Sequence, residues 1–127
     1  MVRIRIRAIG KIKESFIRDA IADYAKRMGS FCQVECIEYP EAPVPDIHPS
    51  TIERACVSEG EKLCSGIDSL DYVIILDRTG KQVSSVGLAE VIRRCEIEGP
   101  YQLVFIIGGP HGLSKDCLQK GNIILSL

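Results

Sequence analysis

Residues 2–9 run Val2-Arg3-Ile4-Arg5-Ile6-Arg7-Ala8-Ile9. Alternation with a period of two predicts a strand with one buried face and a row of arginines on the other. Gly10 ends it. From about Lys13 to Met28 the apolar positions shift to helical spacing, at Phe16/Ile17, Ala20/Ile21, Tyr24/Ala25 and Met28. Gly29-Ser30 closes that helix, and Cys32 to Tyr39 predicts a second strand. Pro40, Pro43, Pro45 and Pro49 then fall within ten residues, which excludes both helix and central strand. Ser50-Thr51-Ile52-Glu53 has the form of a capping box and predicts a helix from there to about Cys64.

The second half follows a different pattern, without internal repeats. Tyr72-Val73-Ile74-Ile75-Leu76 is continuously apolar, the pattern of a strand covered on both faces in a parallel sheet. Asp77-Arg78-Thr79-Gly80-Lys81 predicts a polar turn, and Ser84 or Ser85 caps a helix reaching about Cys95. Gly99-Pro100 breaks it. Tyr101 to Ile107 is a second buried strand, followed by the turn Gly108-Gly109-Pro110-His111-Gly112. Ser114 caps a short helix to about Lys120, and Gly121-Asn122 leads into a last apolar strand, Ile123 to Leu127. The order β-α-β-α-β-α-β-α-β predicts an α/β fold, a mostly parallel sheet with helices on both faces. The proline-rich stretch reads as a loop inside one domain, residues 1–127, because what precedes it is too short to fold alone.

Composition agrees. The chain has 127 residues, 46% apolar and 26% charged, enough for one core and not the balance of a disordered chain. No apolar run approaches the roughly eighteen residues of a membrane span. The charged, alternating start is not a secretory signal, so a cytoplasmic protein with no membrane partner is expected. The net charge of −1 conceals a polarity: residues 1–30 carry eight Lys or Arg against three acids, and residues 31–71 carry two against nine. A basic first strand and helix can meet phosphates, although a solvated helix face beside an acidic one has the same pattern.

Candidate chemistry is sparse. Cys32, Cys36, Cys56, Cys64, Cys95 and Cys117 include no C-x-x-C pair, and the histidines are His48 and His111. Zinc sites take paired ligands about two to four residues apart plus a second pair. Reduced, mostly buried thiols and no metal are therefore expected. In open α/β sheets ligands bind beyond the carboxyl ends of the strands, here the loops after Leu76 and after Ile107. Gly108-Gly109 fits neither the Walker loop nor the dinucleotide pattern. Two glycines there either let backbone approach a ligand or make a turn that no side chain fits. Ser84, Ser85 and Ser114 are explained as helix caps, and His111 as a solvated loop residue. Glu53, Glu59 and Glu61 share a helix with Lys62 and read as a solvated face. No catalytic residue is legible.

Six segments in order carry a resemblance: Gly10-Lys11-Ile12-Lys13, Tyr24-Ala25-Lys26-Arg27, Glu59-Gly60-Glu61-Lys62-Leu63, Asp71 to Asp77, Gly80-Lys81-Gln82-Val83-Ser84-Ser85, and Phe105 to Ser114. Together they resemble the RlmH-type methyltransferases of large-subunit ribosomal RNA, along the whole chain. The resemblance implies a SPOUT-class α/β knot that works as a homodimer with S-adenosylmethionine and methylates N3 of a pseudouridine in the large-subunit RNA. It also implies that Leu76, Gly108 and Gly109 bind the cofactor, the glycines giving adenine a path free of Cβ atoms. The basic first thirty residues would lie near RNA phosphates.

Members of that family continue past the Ser-Leu of the last strand into a third cofactor loop, a knot-threading helix and a Tyr-His tail. On this reading the chain is shortened at its C-terminus, and the apolar faces of Tyr72–Leu76 and Tyr101–Ile107 are expected to be bare. Two functional expectations stand side by side. One is an RNA methyltransferase; the other is a shortened or split copy that folds partly and binds cofactor weakly or not at all.

Overall fold

The computed structural model describes residues 2–99 and 102–127. The chain alternates β1 (Val2–Ile9), α1 (Ser15–Met28), β2 (Cys32–Tyr39), α2 (Pro49–Leu63), β3 (Asp71–Gln82), α3 (Ser85–Glu98), β4 (Gln102–Ile107), α4 (Lys115–Gln119) and β5 (Ile123–Ser126). Every strand pairing is parallel, and the sheet order is β2-β1-β4-β3-β5. The expected α/β architecture is therefore found. Tyr101, at the start of the fourth predicted strand, lies outside the described residues.

Crossovers between parallel strands are right-handed. The steps β1 to β2 and β3 to β4 move one way along the sheet; β2 to β3 and β4 to β5 move the other. Helices α1 and α3 consequently share one face, and α2 and α4 the opposite one. Two core clusters follow. Val2, Ile4, Cys32, Ile74, Leu103, Phe105 and Leu125 pack toward α3 and its Cys95. Ile9, Val73, Ile75, Val104 and Ile106 pack toward Leu63 and Cys64 at the end of α2 and Cys117 of α4.

This two-sided packing corrects the expectation of bare strands for all but the end of the fourth strand, where Ile107 stays 37% exposed. Val73, Ile74, Ile75, Leu103, Val104 and Ile106 are each no more than 2% exposed, because successive residues are covered by α3 on one face and by α2 and α4 on the other. Helix α1 is the exception: it buries no residue. Arg18 pairs with Glu38 of β2 at 3.3 Å, while Phe16 and Tyr24 stand 71% and 61% exposed.

Three local expectations also change. Pro49, not the Ser50–Glu53 box, opens α2. It occupies the first helical turn, where its missing N–H costs nothing, and no side chain caps the helix. Strand β3 does not stop at Leu76. After the excursion Asp77–Gly80 it returns to pair again with β5, so that Leu125 faces both Leu76 and Lys81, and Gln82 faces Ser126. Finally, Arg7 leaves the predicted solvent-facing row. It is 7% exposed, and its guanidinium donates to the carbonyls of Leu63 at 2.9 Å and Ser65 at 2.6 Å, closing the C-terminus of α2.

Candidate active site

Strands β3 and β4 are neighbours, with Leu76 opposite Ile107, so the loops leaving their carboxyl ends emerge side by side. Between them is an open cleft of about 400 Å³, lined by Leu76, Asp77, Arg78, Ile107 and the loop 108–112. The three residues singled out from the sequence, Leu76, Gly108 and Gly109, all border it.

The second wall is a tight turn. Gly112 N–H donates to the Gly109 carbonyl at 3.0 Å, with Pro110 and His111 between them. Gly112 holds φ at +83°, a conformation that disfavours any residue with a Cβ. The glycine pair has a different reason from the one expected. A Cβ on Gly108 would lie 2.8 Å from the Leu113 side chain, and one on Gly109 would lie 3.0 Å from Ile9 and 3.4 Å from Glu59. Both would point into the protein. The glycines let the loop fold down onto its own support, and that presents its backbone to the cleft.

Glu59 belongs to that support. The sequence places it on a solvated acidic face, but it is 6% exposed, whereas Glu53 and Glu61 are exposed. Its carboxylate accepts from the Ala42 N–H at 2.9 Å, tying the proline-rich loop to α2 beneath Gly109. The helical spacing of Ala55, Cys56, Glu59, Gly60 and Leu63, all buried, was the available signal. Cys56 adds a second tie, its thiol lying 3.7 Å from the His111 carbonyl; burial, with Glu59 and Glu53 nearby, pushes that thiol's pKa up. The His111 side chain is exposed, as a loop histidine was expected to be.

The first wall, Asp77–Gly80, is set by two contacts. The Asp77 carboxylate accepts from the Thr79 N–H at 3.1 Å and from its hydroxyl. Gly80 lies against β5: a Cβ there would be 2.7 Å from the backbone carbons of Ile124 and Leu125. Ser84 and Ser114 act as the expected caps, their hydroxyls accepting from Gly87 N–H at 3.0 Å and Cys117 N–H at 3.2 Å. Among the described residues no group of three or more His, Cys, Asp or Glu could hold a metal ion. No described helix is long and apolar enough to cross a membrane.

A family model described as "Predicted SPOUT methyltransferase" matches residues 2–127. The chain belongs to the SPOUT methyltransferase family. This SPOUT chain is also 97% identical, over all of its 127 residues and 80% of the relative's length, to a protein of Methanospirillum hungatei JF-1 named "Putative ribosomal RNA large subunit methyltransferase H". The five-stranded parallel α/β sheet is consistent with that family.

Proposed function

We propose that this protein methylates N3 of a pseudouridine in large-subunit ribosomal RNA, with S-adenosylmethionine as methyl donor, and that residues 1–127 act as one SPOUT domain. The observation that carries this reading is the convergence of Leu76 and the 108–112 loop on one backbone-lined cleft in a methyltransferase-family chain. Its volume, about 400 Å³, falls in the range of small-molecule sites. The donor set suits the cofactor: Leu76 and Ile107 offer apolar surface to an adenine or thioether, and the Asp77 carboxylate offers a counter-charge to a cation. When bound, the cofactor supplies a methyl group on a sulfonium, which N3 accepts as it gives up its proton.

The chain's own residues then bind and orient. Gly108 and Gly109 present loop backbone, Glu59 and Cys56 hold that loop down, and Gly80 lets the opposite wall rest on β5. Phosphates of the RNA meet the basic N-terminal region, where Arg3, Lys11, Lys13 and Lys26 are exposed. The protein works in the cytoplasm as a homodimer. The apolar side chains that α1 leaves exposed, at Phe16, Ile17, Ile21, Tyr24 and Met28, support the dimer.

The test is calorimetric titration with S-adenosylmethionine, followed by incubation with ribosomes lacking the modification and mass analysis of the nucleosides. One methyl group on pseudouridine is expected. Methylation at uridine or at a base carbon instead would remove the N3 assignment, and the absence of cofactor binding would remove the cleft.

A further inference from the structure

Away from the cleft, α2 and α4 meet at two thiols. Cys64, which ends α2, and Cys117, inside α4, are separated by 53 positions in sequence, yet their Sγ atoms are 3.5 Å apart. Both are free and buried. The helices touch closely at this point: a Cβ on Gly60 would lie 3.0 Å from Ser114 Oγ and 3.2 Å from Cys117 Cβ. The gap between the sulfurs is about 1.5 Å longer than a disulfide bond of about 2.05 Å.

The surroundings favour reaction. The pair borders a second open cleft of about 450 Å³, lined also by Gly60, Glu61, Ser114, Asp116 and Lys120, which gives a small reagent an approach. The hydrogen bond with Cys117 lowers the Cys64 thiol to about 7, helped by the nearby Lys120 and Arg7 cations against the effect of burial. The same hydrogen bond, together with burial, pushes the Cys117 thiol up. Cys64 is also the less buried of the two, 7% exposed against 2% for Cys117, so a reagent in the cleft meets its sulfur first and Cys117 stands behind it for resolution.

We propose that Cys64 and Cys117 are a dithiol site for low-molecular-weight disulfides, oxidised to an intrachain disulfide that staples α4 to α2 directly below the glycine loop. Cys64 thiolate attacks one sulfur of the reagent, forming a mixed disulfide and releasing one thiol. Cys117 then attacks the Cys64 sulfur, gives up its proton, and releases the second thiol. Two protein thiols and one disulfide become one protein disulfide and two small thiols, so atoms and electrons balance. Helix α4 begins directly after the 108–114 segment, with the Ser114 hydroxyl accepting from Cys117 N–H at 3.2 Å. The staple therefore fixes the base of that loop.

The experiment incubates the full chain with oxidised glutathione, quenches with N-ethylmaleimide in denaturant and maps unreduced peptides by mass. A cross-linked pair containing Cys64 and Cys117, two fewer maleimide adducts and a rise in Tm on the order of 10 °C, reversed by dithiothreitol, are expected. In Cys117→Ala the glutathione should stay on Cys64 as a stable mixed disulfide. If that variant does not fold, the wild-type peptide map decides alone. Glutathione confined to Cys36, the exposed thiol, with Cys64 and Cys117 both alkylated, overturns the site. A cross-link without a rise in Tm overturns the staple.

Discussion

At the β3–β5 end of the sheet the central strands are covered on both faces and glycines bring backbone against backbone; at the β1–β2 end the covering helix buries nothing. Val73, Ile74, Ile75, Leu103, Val104 and Ile106 lie in close-packed surroundings, and Gly80 and Gly121 sit where a Cβ would come within 2.7 Å of β5 backbone or of Ile75. Helix α1 instead keeps its apolar residues in solvent and is fastened to β2 by exposed ion pairing, which is worth little. The contrast shows where the fold supplies its own rigidity. The self-sufficient end holds the cleft, and the other end presents surface that a second molecule can use.

Substitutions at the two ends should therefore differ sharply. Gly80→Ala has the largest expected effect. Its methyl group collides with β5 backbone, which cannot swing aside as a side chain does, so a loss of about 3 kcal/mol and of cofactor binding is expected by thermal melting and calorimetry. A variant of wild-type Tm would mean the β3 return does not lie against β5. Gly108→Val comes next, at about 2 kcal/mol. Its branched side chain meets Leu113, so melting should register the change along with weaker cofactor binding; an affinity loss at unchanged Tm would restore the reading of a ligand-facing Cβ.

Arg7→Met belongs to the exposed end by strand but to the rigid end by contact. Removing its two hydrogen bonds to the end of α2 should cost about 1.5–3 kcal/mol with little effect on RNA affinity, read by denaturant melts beside a filter-binding salt titration. A flattened salt slope would return Arg7 to the RNA face. Smallest in stability is Phe16→Ser together with Tyr24→Ser. The monomer should change by no more than about 0.5 kcal/mol per site, while sedimentation should show weaker self-association. Unchanged self-association would place the dimer contact elsewhere.

Much of this was legible from the chain. The switch from alternating to continuous apolar strands marked the buried half, and the position after such a strand marked Leu76 and Gly108-Gly109, which the fold brings to the border of one cleft. What escaped depends on contacts between distant segments. Nothing near Arg7 announces that Leu63 and Ser65 will end a helix beside it, and a strand pattern assigns its side chain to solvent by default. Gly80 looked like an ordinary turn glycine because the need for it comes from Ile124 and Leu125, over forty positions later. The capping box lost to a single upstream proline. Glu59 alone was recoverable, since helical spacing puts it beside Ala55, Cys56 and Leu63.

The double pairing of Leu125 couples the last strand to the Asp77–Gly80 wall of the cleft. Releasing β5 means parting it from Ile74–Leu76 on one side of the Asp77–Gly80 excursion and from Lys81–Gln82 on the other, and the excursion is a wall of the cleft. If a molecule seated against that wall binds only while the excursion is held by β5, its binding and the strand's release are linked. By mass action each tenfold excess of ligand over its Kd should then slow amide exchange at the end of the chain by a similar factor, so deuterium uptake in β5 becomes a remote gauge of cleft occupancy.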